Sequence, residues 1–106
     1  MAANEVCISE YADMVSTVRG AAQVAMDPPL AVQIIAQSGS SQQSAAFNAA
    51  TRMIEITVSG TDVRIVNNTA NPTADASTSQ RVPAGTVIYR GVTLGAGNKI
   101  AVITAT

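Results

Sequence analysis

Between Arg52 and Val66 the side chains alternate in character. Ile54, Ile56 and Val58 fall in one phase, with Met53, Glu55 and Thr57 in the other. After Ser59-Gly60, Val63 and Ile65 alternate with Asp62, Arg64 and Val66. A two-residue period puts each set on one face of a strand and does not fit a helix. Two such runs about a tight glycine turn predict a β-hairpin.

The rest of the chain is made of the same material. Val, Ile and Thr together supply 32 of the 106 residues, against two Leu and three aromatics, Tyr11, Phe47 and Tyr89. β-branched side chains favour strands. Leu30–Gln37 is an apolar run of strand length. Ser38–Gln43 reads as a polar turn, Thr86–Val92 as a strand, and Lys99–Thr104 as a closing strand with Ile100 and Val102 in phase. Asn67–Gln80 has no large apolar residue and reads as a long surface loop, functional or mobile. Residues 5–19 fit two patterns. Val6, Ile8 and Glu10 alternate as in a strand, while Ile8, Tyr11, Ala12, Val15 and Val18 sit at helical spacing. Six to nine short strands with turns every 8–12 residues predict an all-β chain. Its expected form is a single antiparallel β-sandwich or small barrel over residues 1–106, with no internal repeat. A core with 19 Ala and few aromatics is thin, so modest stability and reliance on a partner surface are expected.

Composition narrows the chemistry. There is no His, so the commonest general base and zinc ligand is missing. The single Cys7 excludes an internal disulfide and a Cys-rich zinc module, and reads as a small buried hydrophobe. Asp62 and Asp75 read as solvated or turn-forming residues rather than an acid/base pair. Gly91–Gly97 looks superficially like a phosphate loop. Such a loop needs a following helix, and here a β-branched strand follows, so a hairpin turn is the expectation. No enzyme activity, cofactor or metal is therefore expected. A net charge of -1 offers no basic face for nucleic acid, and no apolar run approaches the ~20 residues of a membrane span. Glu5 and Glu10 stand where a signal peptide would carry basic residues. Arg52, Arg64, Arg81 and Arg90 lie in or beside predicted strands. They serve there either as solubilising charge or as contacts to a partner.

A series of phrases gives the chain a likeness. Ser44-Ala45-Ala46-Phe47-Asn48 is followed by Thr51-Arg52 and an alternating strand. Then come Asn71-Pro72-Thr73-Ala74, Pro83-Ala84-Gly85 and Gly97-Asn98-Lys99-Ile100-Ala101-Val102-Ile103. Ile8-Ser9-Glu10-Tyr11-Ala12 and Pro28-Pro29-Leu30 precede them. In this order the phrases resemble a family of small tailed-bacteriophage virion proteins, over most of the chain. The likeness departs from the family pattern at Ile65-Val66-Asn67-Asn68, where a Phe-Gly or similar turn often stands.

The resemblance implies a jelly-roll-like sandwich and favours a strand over 5–12. It also implies a cement or decoration protein that stabilises an assembled capsid. The expected partners are the major capsid protein and further copies of the chain, as a homodimer or homotrimer, with neither nucleic acid nor membrane. The expected location is the capsid surface of a virion assembled in the host cytoplasm. Glu10, Tyr11, Arg52, Arg81 and Arg90 are the expected interface residues. The alternative is a head-fibre or tail-associated host-recognition module reading its ligand through loop 67–80.

Overall fold

The computed structural model describes residues 4–12, 14–16, 23–25, 29–68, 71–93, 95 and 97–105. Among them are ten strands and no helix. They are β1 (Glu5–Tyr11), β2 (Met14–Ser16), β3 (Gln23–Ala25), β4 (Ala31–Ala36), β5 (Gln42–Gln43), β6 (Met53–Ser59), β7 (Val63–Asn68), β8 (Gln80–Val82), β9 (Val87–Gly91) and β10 (Lys99–Thr104). The ambiguous N-terminal stretch is extended as far as it is described. Sheet I has the order β4-β1-β6-β9 and sheet II the order β5-β10-β7-β8, with every pairing antiparallel. The chain is thus an all-β sandwich of two four-stranded sheets.

Alternation dictates the core. From sheet I, Val6, Ile8, Ile35, Ile54, Ile56 and Val58 point inward. From sheet II, Val63, Ile65, Val82, Ile100 and Val102 meet them, and Phe47 joins from the β5–β6 connection. Most of these side chains are fully buried. Each buried Val or Ile contributes roughly 1.5–3 kcal/mol relative to exposure.

β2 and β3 pair only with each other. Glu10 stands opposite Ala31, and Met14 opposite Ala25. Three residues therefore separate the two paired stretches on one side and five on the other. The longer connection carries Pro28-Pro29, neither of which has an N–H to give a ladder.

Two sequence expectations are corrected. β6 and β7 do not form a hairpin. β6 pairs with β1 and β9, and β7 with β10 and β8. The turn at Gly60 lifts the chain from one sheet to the other, so Ile54, Ile56 and Val58 lie over Val63 and Ile65 rather than beside them. An arch stacks two apolar faces directly, whereas a hairpin leaves both on one face in need of a second layer. The Gly91–Gly97 stretch is likewise not a hairpin turn, because β9 belongs to sheet I and β10 to sheet II. Leu94 and Ala96 lie outside the described residues.

Gly60 is required at its arch on two counts. Its φ is +99°, and a Cβ there would lie 2.7 Å from the Asn4 Cα. Gly60→Ala is expected to lower the unfolding free energy by about 1–3 kcal/mol. Urea denaturation checks this, with Gly39→Ala as the control, since a Cβ at Gly39 meets nothing within 4 Å.

Candidate interaction surface

The outer faces of the two sheets are treated differently. On sheet II, Val66, Ala101 and Ile103 face outward, and the chain covers them itself. Residues 71–79 cross this face, and Ala74 and Ala76 pack against it. The strap is tied at several points. Gln43 Nε2 donates to the Pro72 carbonyl at 2.9 Å, the Ala74 N–H donates to Ser41 Oγ at 2.9 Å, and Arg64 Nη1 donates to the Ser79 carbonyl at 2.7 Å. Asp75 Oδ1 accepts from the N–H groups of Ser77 and Thr78 and from Ser77 Oγ, which folds the strap into a tight Asx turn. The long surface loop expected over Asn67–Gln80 is shorter, since Asn67 and Asn68 belong to β7 and Gln80 to β8, and residues 71–79 between them form a fastened cover.

Sheet I has no comparable strap among the described residues, although at one end of its outer face Tyr11 and Met53 are buried. Its outer face reads across β4-β1-β6-β9 as Ile34, Cys7, Thr57 and Val87, then as Val32, Ser9, Glu55 and Tyr89. Among the described residues five large hydrophobic side chains are exposed, and four of them, Val32 (54% exposed), Ile34 (64%), Val87 and Tyr89 (57%), lie on this face, with Leu30 just before β4. A four-stranded face with two apolar flanks and small or polar residues between is the candidate interaction surface. Glu55 stands opposite Tyr89, and its carboxylate holds the phenol above its ordinary pKa, first by hydrogen bonding and then by charge. Cys7, expected to be buried, is a half-buried free thiol near the middle of this face.

The five residues expected at an interface do not form one patch. Glu10 is 1% exposed and points into the fold. Its carboxylate accepts from Gln33 Nε2 (2.9 Å), the Asn48 N–H (2.7 Å) and Thr51 Oγ1 (2.8 Å). It fastens β4 and the β5–β6 connection to β1 and has no surface to offer a partner. Tyr11 falls in the other phase of β1, on the outer face of sheet I opposite Met53, and both are buried there. Arg52 is exposed at the end of β6, where its N–H donates to the Tyr11 carbonyl. Arg90 falls in the inward phase of β9, opposite Ile54, and lines a cavity of about 180 Å³ with Asn67, Gln80 and Ile100. Arg81 sits on β8 in sheet II, paired with Asp62 at 2.7 Å.

No family model, curated protein or solved structure matches this chain. The surface must therefore be read from its own chemistry. Among the described residues, no group of three or more His, Cys, Asp or Glu side chains could hold a metal, and no helix is long and apolar enough to cross a membrane.

The apolar face was missed by sequence reasoning because charge was taken as the marker of an interface. The available signal was β4 itself. In AVQIIA both phases carry large apolar residues, Val32 and Ile34 in one and Ile35 in the other. A strand apolar in both phases needs cover on both faces.

Two outcomes follow. Glu10→Ala leaves three donors without their acceptor and is expected to lower the unfolding free energy by about 3 kcal/mol in urea titrations, whereas Thr51→Ala, which removes one donor, costs about half as much. Asp62 and Asp75 have pKa values below the ordinary range. The Ala84 N–H and then Arg81 hold Asp62 down, and the Ser77 and Thr78 groups hold Asp75 down. Because the folded values lie below the unfolded ones, the stability they contribute is present above about pH 4 and is lost as pH falls through the folded values. Replacing both with Asn is expected to flatten the acid side of a stability-against-pH curve below about pH 4.

Proposed function

We propose that the chain is a non-catalytic structural subunit of a phage virion, a cement or decoration protein that docks on the assembled capsid and associates with copies of itself. The observation that carries this reading is the outer face of sheet I, where Val32, Ile34, Val87 and Tyr89 stand exposed in two rows. Fastening a strap over one sheet and leaving apolar rows exposed on the other suits a protein whose task is to adhere.

Two further features support it. Only 12% of residues are charged, which suits close apposition of extended surfaces better than electrostatic steering. The strand order supports the jelly-roll part of the reading. Starting at β4 and letting β1 follow β10, the eight sandwich strands fall in sheets I, II, I, II, II, I, II, I. That is the alternation of two interlocked Greek keys. The break in this circle lies where Asn4 and Ala105 both meet the Gly60 arch, Asn4 by contact and Ala105 through its N–H to the Asp62 carbonyl.

A host-recognition role for loop 67–80 gains no comparable support, since its described part is bound to sheet II.

Co-sedimentation with assembled, expanded shells of the parent particle tests the reading. Saturation on the order of hundreds of copies per shell is expected, as repeated docking on a symmetric lattice requires. Val87→Ser combined with Tyr89→Ser is expected to weaken binding by at least about tenfold, the cost of roughly 1.4 kcal/mol of lost apolar burial. Replacing Arg81, on the other sheet, should leave it unchanged. Saturation at about a dozen copies or fewer would move the protein to the neck, tail or a fibre. No binding would remove the capsid reading altogether.

A further inference from the structure

The sandwich has four edge strands, and three are blunted. β5 is two residues long. β8 is three residues long, carries Arg81 and runs into Pro83. β9 carries the inward-pointing Arg90. Short length, charge, proline and inward-pointing charges are the usual devices against edge-to-edge pairing. β4 has none of them. It has six residues with no charge and no proline, and no charged residue stands anywhere between Asp27 and Arg52.

The ladder fixes which backbone groups this edge presents. Beyond the Glu5–Ala36 pair the Gln37 N–H donates to the Asn4 carbonyl, which makes Glu5–Ala36 a non-hydrogen-bonded pair. Strict alternation then turns the amides of Ala31, Gln33 and Ile35 toward β1 and those of Val32 and Ile34 outward. No other described backbone group bonds to Val32 or Ile34. Gln33, between them, is anchored inward. Its Nε2 donates to Glu10 Oε2, and its Oε1 accepts from the Ala45 N–H at 2.9 Å. The middle of the edge is therefore tied to the fold before any partner arrives.

We propose that β4 pairs antiparallel with β4 of a second copy about a two-fold axis at Gln33, joining two sheets I into one eight-stranded sheet. Three observations single out a second copy as the occupant. The edge is self-complementary, because with Gln33 opposite Gln33, Val32 falls opposite Ile34 and Ile34 opposite Val32. Both are then narrow pairs that exchange two backbone bonds each, about four in all. The outward row Val32, Ile34, Ala36 runs antiparallel to its own copy, so exposed apolar side chains meet each other on both sides of the axis. The absence of charge leaves no like-charge repulsion across the axis. The inference gives a geometry to the self-association in the reading above, and it does not depend on the capsid.

Sedimentation equilibrium of the full chain, together with amide hydrogen exchange at high and low protein concentration, tests it without shells. A dimer is expected. The Val32 and Ile34 amides should exchange at least about tenfold more slowly in the dimer than at dilution, while Ala31, Gln33 and Ile35 are protected at both concentrations. Ile34→Lys is expected to give a monomer with unchanged circular dichroism, since that side chain is already 64% exposed. A chain that stays monomeric at millimolar concentration overturns the proposal. So does a trimer, and so does a dimer in which those two amides exchange as fast as at dilution. Protection of Val32 and Ile34 only on shells also overturns it, by giving the edge to a different chain. Failure of the shell experiment leaves this one standing, so the two readings fail separately.

Discussion

The contact on which the rest depends is the stacking of Ile54, Ile56 and Val58 over Val63 and Ile65 through the Gly60 arch. Val and Ile are short side chains. They fill the space between two sheets only when the sheets lie directly over one another at about 10 Å. An arch of a few residues enforces that, because the two strands it joins cannot lie far apart. Once β6 and β7 are stacked, each is free to recruit neighbours on both sides. β1 and β9 complete sheet I around β6, and β10 and β8 flank β7. Glu10 then closes the side left open between β4 and β5, tying the connection at Asn48 and Thr51 to β1. It does with hydrogen bonds what a large aromatic side chain does in richer cores.

The same economy explains the two outer faces. Sheet II is closed by a strap of small and polar residues, whose Ala74 and Ala76 add little apolar area but whose backbone and side-chain bonds hold it in place. Sheet I spends larger residues on its outside. Leaving Ile34 and Tyr89 more than half exposed forgoes burial that a chain with so little aromatic area could use. Such exposure is accounted for when the missing burial is supplied by another surface.

Strands were legible in the sequence wherever apolar and polar residues alternate. Lys99–Thr104 matches β10 end for end, and the alternation of 53–59 gives the inward face of β6 residue by residue. Which strands pair was not legible. The pattern of Ile54, Ile56 and Val58 followed by Gly60, Val63 and Ile65 is common to a hairpin and an arch, and the choice rests on contacts far away in sequence, at β1 and β10. β8 went unseen because Gln80-Arg81-Val82 has one apolar residue and gains its strand only by pairing with β7. Glu10 was misplaced for a related reason. Glutamate is rarely buried without partners, and its three donors come from residues 23 to 41 positions away.

The proposed self-pairing and the proposed docking reinforce each other. The β4 seam consumes backbone groups that point sideways in the sheet, whereas docking on a shell uses side chains that point away from it. The two do not compete for the same atoms. Joining β4 to its copy also places the Val32 and Ile34 rows of two subunits side by side, so two separate apolar patches become one patch across eight strands. A lattice presents its own surface in symmetric repeats. A dimer bound through one half holds its second half at high effective concentration over the next repeat, and avidity rises without any new kind of contact. A single sheet face of Val, Ile and Tyr gives weak adhesion on its own. Two such faces held rigidly in one sheet turn that weak adhesion into a clamp between neighbouring positions, which is the mechanical requirement for stabilising a shell.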